Sequence, residues 1–175
     1  MRRNTLRSRS LLFTLALGVG MLGGFGTAVE SQAMDAHREL GPGIHPVVVL
    51  AGGSGNTADV QLHLRRVQVE SGIASYQGEF TYNVRSLTLR SAELPRGIAG
   101  AWNETAPGKI RFAGAALEGV GDRPVLVLHF DTRGAIGAAD FGVKIEEVVG
   151  SSDFRSLSSR LVVRDQPLFS RTPLK

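Results

Sequence analysis

Ser75–Tyr82 reads SYQGEFTY, and its alternation decides the fold class. Tyr76, Gly78, Phe80 and Tyr82 share one side of an extended chain, opposite Ser75, Gln77, Glu79 and Thr81. A side-chain period of two marks a strand with one face buried and one wet. The habit continues outward in both directions. Upstream, Val60–Val67 alternates Val60, Leu62 and Leu64 with Gln61, His63 and Arg65, and Val47–Ala51 makes an apolar run closed by Gly52-Gly53-Ser54-Gly55-Asn56. Downstream, Leu87 and Leu89 begin a strand that ends before Pro95, and a short run around Trp102 precedes the turn Ala106-Pro107-Gly108. Lys109–Ala115 puts Ile110 and Phe112 inward, Val125–Asp131 groups Leu126, Leu128 and Phe130, Phe141, Val143 and Ile145 alternate, and Ser158–Arg164 reads as a last strand. No stretch after residue 34 keeps a helical period for three turns. Many short strands separated by turn residues predict an all-β sandwich of nine strands.

The ends of the chain read differently. Met1–Ser10 carries Arg2, Arg3, Arg7 and Arg9 and no acid, and Leu11–Ala28 (LLFTLALGVGMLGGFGTA) is uncharged and apolar. A basic start, an apolar stretch and small residues after it make an export signal, with cleavage expected after Ala28 or Ala33. The sequence organisation is therefore a signal over 1–33, a polar linker over 34–46, the sandwich over 47–165 and a tail over 166–175. The expected location is secreted, periplasmic or cell-surface, with membrane attachment only if the signal stays uncleaved.

Composition narrows the function. The 175 residues include no cysteine, which excludes disulfides, thiolate metal sites and a thiol nucleophile. The formal charge is +4, but taking the four N-terminal arginines from the total of 20 basic residues leaves 16 against 16 acidic ones. A neutral domain gives no footing for nucleic acid. Four histidines are present: His37 and His45 fall in the linker, and His63 and His129 lie on strands without a second ligand at metal spacing. Asp122, Asp131, Asp140 and Asp153 lie near turns and read as loop caps, since the dense carboxylate spacing of a calcium loop is missing. Glu146 and Glu147 are adjacent, which on a regular strand sends them to opposite faces. No nucleophile, acid–base pair, metal or cofactor site emerges, and the expectation is a non-catalytic protein without a cofactor. Trp102 is the one aromatic that would serve as a sugar-stacking platform.

Several blocks resemble the cohesin module of bacterial cellulosomes and of exported non-cellulosomal proteins. They are IASYQGEFTYN (73–83) followed by TLRSAELP, then PGKIRFAGAALEG (107–119), VLVLHFDTRG (125–134) and VQLHLRRV (60–67). The resemblance implies a nine-stranded jelly-roll sandwich that binds a partner on one sheet, the partner of cellulosomal cohesins being a calcium-loaded dockerin on a secreted, often polysaccharide-degrading, protein. The family's contact positions on its third strand fall on Ser75 and Gln77, with Glu79 and Thr81 beside them. Val125, Val127 and Ala113 are expected to supply the apolar middle of the face. Asn83-Val84 stands where the family has Asp-Pro, and Ser75 and Gln77 replace the Asn and Asp of the best-known dockerin-binding type. Two alternatives stay open: a carbohydrate-binding module using Trp102, with polysaccharide as partner, and a structural component of the envelope.

Overall fold

The computed structural model describes residues 40–171. They form nine strands in two sheets: β1 (Gly43–Gly52), β2 (Thr57–Val67), β3 (Ile73–Tyr82), β4 (Leu87–Glu93), β5 (Ala99–Ala106), β6 (Lys109–Ala115), β7 (Leu126–Thr132), β8 (Phe141–Gly150) and β9 (Leu168–Ser170). One sheet has the order β4-β7-β2-β1-β9 and the other β5-β6-β3-β8. Every pairing is antiparallel except β1 with β9. The expected export signal, the expected linker up to residue 39 and residues 172–175 lie outside the described residues.

The inward positions of both sheets meet in one core. Val60, Leu62, Leu128 and Phe130 from one layer face Tyr76, Phe80, Ile110 and Phe112 from the other, all buried. Tilted ring pairs run through it, Tyr82 on Phe130 at 5.0 Å and Phe80 on Phe141 at 5.8 Å between centroids. Two glycines make room for these rings. A Cβ on Gly114 would collide with the Tyr76 hydroxyl, and one on Gly78 would stand 2.5 Å from the Lys144 carbonyl and 3.2 Å from the Phe112 ring. Tyr76 spans the sandwich, donating its hydroxyl to the Val125 carbonyl at 2.7 Å. Burial pushes its ionisation well above the ordinary phenol value.

Two boundaries differ from the sequence reading. The first strand begins at Gly43, inside the expected linker, because the edge of β1 there is covered: Leu161 bridges Ile44, and the Val162 N–H donates to the Ile44 carbonyl at 2.9 Å. His45 is consequently a buried strand residue, 1% exposed, whose Nε2 is 2.7 Å from the Gly41 carbonyl. Ser158–Arg164 is not a strand. Ser158–Arg160 forms a 3-10 turn, and the Ser158 side chain takes the Val148 N–H at 3.2 Å while the Leu157 N–H donates to the Val148 carbonyl. Serine side chains here compete for backbone groups that a ladder would use. The ninth strand lies in the expected tail, where Leu168–Ser170 runs parallel to Val47–Val49 and Phe169 stacks on Phe141 at 5.9 Å.

The turn after β3 is held by side chains. The Asn83 amide and the Ser86 hydroxyl donate to Asp140 Oδ1, at 3.0 and 2.7 Å, and the Gly137 N–H donates to Oδ2 at 3.0 Å. The Ser86 hydrogen bond, then the Gly137 and Asn83 ones, outweigh burial and hold the Asp140 carboxyl below its ordinary value. Asp140 and Asp153 thus act as loop caps, the latter accepting the Arg155 N–H at 3.1 Å.

Candidate functional site: the outer face of the four-stranded sheet

The polar side of β3 is open on the outside of β5-β6-β3-β8, and the register builds the face row by row. Ser75 lies opposite Ala115 and Val149, with Ala99 beyond Ala115. Gln77 lies opposite Ala113 and Glu147, with Ala101 beyond Ala113. Glu79 lies opposite Arg111 and Lys144, and Thr81 opposite Lys109 and Gly142. The first two rows hold four alanines, Ser75 and Gln77, with one charge, Glu147, on β8; the last two carry most of the charge. The four alanines are exposed and adjoin one another across β5 and β6, so this half is flat. The hairpin that presents them turns on Pro107-Gly108, where Gly108 has a φ of 82° that favours glycine.

A bulge in β8 arranges the charged side. Gln77 pairs with Glu147 but Gly78 pairs with Ile145, so Glu146 is an extra residue in the strand. That insertion corrects the expectation that the two glutamates part. Both lie exposed, and both contact side chains of the outer face: Glu146 accepts from Arg111 at 2.7 Å, and Glu147 from the Gln77 amide at 3.2 Å. Lys109 pairs with Glu79 at 3.1 Å. These are surface pairs whose value is orientation more than stability.

The structure brings Ser75, Gln77, Glu79, Thr81 and Ala113 together and separates the two valines from them. Val127 belongs to the other sheet, and Val125 leads into its strand β7. Val125 is 0% exposed, its N–H bound to Leu62 and its carbonyl to Tyr76. Val127, half-buried on β7, pairs with Gln61 and Glu93 on the far side of the molecule. Phase within one strand does not reveal which sheet the strand joins. The apolar middle is supplied instead by Ala99, Ala101 and Ala115 alongside Ala113. Their signal was the two Ala-x-Ala pairs flanking Ala106-Pro107-Gly108.

Trp102 sits elsewhere. It pairs with Phe112 on the inward side of the edge strand β5, 37% exposed, and does not project from the flat face. On the same strand Glu104 accepts the Tyr82 hydroxyl at 2.6 Å; burial, then the Glu104 hydrogen bond and charge, push the Tyr82 pKa up to about 12. Among the described residues no group of three His, Asp or Glu side chains is placed to hold a metal ion. His63 bonds to the Asp122 carbonyl and Gln61, both at 3.2 Å, and burial lowers its pKa.

No protein-family model and no curated protein matches the sequence. Solved structures do match in shape. The chain is similar to the sixth cohesin of Acetivibrio cellulolyticus scaffoldin B, solved in complex with a mutant Cel5 dockerin, at 14% identity over 75% of this chain and 99% of that one, with a TM-score of 0.54. It is also similar to the cohesin module of a family 33 glycoside hydrolase from Clostridium perfringens, at 13% identity over 75% of this chain and 99% of that one, TM-score 0.52. A third is the OlpA cohesin of Clostridium thermocellum, solved in a type I cohesin–dockerin complex, at 14% identity over 69% and 94% of the two chains, TM-score 0.50. The fold is a cohesin-like β-sandwich.

Proposed function

We propose that this chain is an exported, non-catalytic module that binds a secreted protein of dockerin type on the outer face of β5-β6-β3-β8. The observation that carries the reading is the paired composition of that face: four exposed alanines beside Ser75 and Gln77, next to a rim of Lys109, Arg111, Glu79, Glu146 and Glu147. A small apolar centre with a polar rim is the anatomy of a protein interface, and a stable one buries about 1,200–2,000 Å² in total. Flat, short side chains suit a partner that lays a helix across the strands. Two of the similar solved cohesins carry a dockerin in their crystals, which supports the choice of partner class. The Arg-rich start and the apolar stretch Leu11–Ala28 support export.

The test is calorimetric titration of the full chain with dockerin-bearing proteins secreted by its own organism, in calcium and in chelator. Calcium-dependent binding is expected, weakened at least a hundredfold, or about 2.7 kcal/mol, by Ala113→Arg. Absence of any binding at micromolar protein, or binding that ignores Ala113→Arg, overturns the proposal.

A further inference from the structure

At the open edge of the sandwich, β1 of one sheet and β8 of the other leave a cleft of about 180 Å³. That volume lies below the range of about 300–1,000 Å³ of drug-sized sites, so the cleft has room for a slender ligand only. Its position follows from the chain around it. The segment after the 3-10 turn pairs with the edge of β1 at Ile44, stands away over Val163–Gln166, and rejoins the edge where Leu168 pairs with Val47. Pro46, two residues beyond Ile44, faces the same edge and has no N–H to offer. The strap therefore stands off without stranding a donor on Pro46.

The lining combines two chemistries. Pro46, Val143, Ile145 and Leu161 make apolar walls. Lys144 and Arg164 are exposed cations lining the cleft, and neither has an ion-pair partner among the described residues. No carboxylate lines it. One buried polar atom lies on a lining residue: His45 Nδ1 has no hydrogen-bond partner. An apolar trough under positive charge selects an amphipathic anion. A sugar would find too few hydrogen-bonding groups on these walls, and a neutral hydrocarbon would leave both cations unused.

We propose that this cleft binds a medium-chain alkyl carboxylate, the tail between Val143, Ile145 and Leu161 and the carboxylate at Arg164 and Lys144. The site takes a different class of ligand from the alanine face and lies at the sheet edges; Lys144, opposite Glu79 on β3, is the one residue that also borders the outer face.

The experiment is a titration of the ¹⁵N-labelled full chain with decanoate below its micelle-forming concentration, with decanol and acetate as parallel arms. Saturable shifts confined to the amides of Val143–Ile145 and Leu161–Arg164 are expected. Decanol and the double variant Lys144→Glu/Arg164→Glu should each bind at least tenfold more weakly, and acetate should leave the spectrum unchanged. Both substituted side chains are exposed, and retained amide dispersion verifies the fold of the variant. Shifts that do not saturate or fall outside the cleft, acetate binding at the same amides, equal binding of decanol, or an unchanged affinity in the double variant overturns the proposal.

Discussion

Removing one oxygen from Tyr76 tests how the two sheets are tied. Its ring is 3% exposed, and its hydroxyl donates to the Val125 carbonyl at 2.7 Å, joining β3 to the residue that leads into β7. Tyr76→Phe keeps the ring and so leaves no cavity near Phe112 and Gly114. What is lost is the hydrogen bond, together with the donor for a buried carbonyl, a change costing about 1–3 kcal/mol. Taking about 2 kcal/mol and a urea slope near 2 kcal/mol per M, the unfolding midpoint falls by about 1 M with the slope unchanged. The single tryptophan, Trp102, offers fluorescence as one probe, and far-ultraviolet circular dichroism gives an independent second. Coincident curves would establish that one cooperative unit is being measured. A midpoint shift under about 0.2 M would refute the reasoning, since the bond would then contribute less than about 0.5 kcal/mol. Because Tyr76 points inward, binding at the alanine face should persist in the folded variant.

Other perturbations address neighbouring features. Gly78→Ala drives a Cβ against the Lys144 carbonyl and should cost about 1–3 kcal/mol in thermal or urea unfolding; a neutral result would mean that the β8 bulge does not depend on this glycine. The Tyr82 pKa is raised from 10.0 to about 12, so its stabilising contribution is intact below pH 10 and is lost as pH rises toward 12. Tyr82→Phe should flatten the alkaline fall in stability, and an unaltered slope contradicts the assignment. His63 is held neutral by burial, its folded pKa lying below 6.5, so its contribution is present above that value and is lost as pH falls through the folded pKa. The loss of urea midpoint between about pH 7 and about pH 5 should therefore shrink in His63→Gln; an equal loss in both proteins rejects the idea. Asp140→Ala removes the acceptor for Asn83, Ser86 and the Gly137 N–H and should lower stability by about 1 kcal/mol, read by the same titration.

Much of the sandwich is legible because alternation reports burial directly. β3 from Ala74 to Tyr82 and β6 through its whole length obey the two-residue period, and the structure buries the residues that phase selects. Legibility fails where a strand is short or irregular. Three residues of β9 are too few to show a period, whereas Ser158–Arg164 carries Leu161, Val162 and Val163 and imitates a strand while Ser158 binds the backbone of β8. The bulge at Glu146 is invisible in sequence, since one extra residue changes the phase of everything after it, and this moved both glutamates to the outer face of the four-stranded sheet. Ser75, Gln77, Glu79 and Thr81 needed only phase within one strand and were found. Placing Val125 and Val127 needed sheet membership, which depends on contacts distant in sequence.

The parallel pairing of β1 with β9 has a mechanical consequence. The described chain enters at the start of β1 and leaves at the end of β9, and because the two strands run in the same direction these points lie at opposite ends of the pair. Tension applied through the chain on either side would make the strands slide lengthwise, loading their hydrogen bonds together instead of opening them one after another. Shearing the pair in this way takes a higher force than peeling the same strands apart from one end.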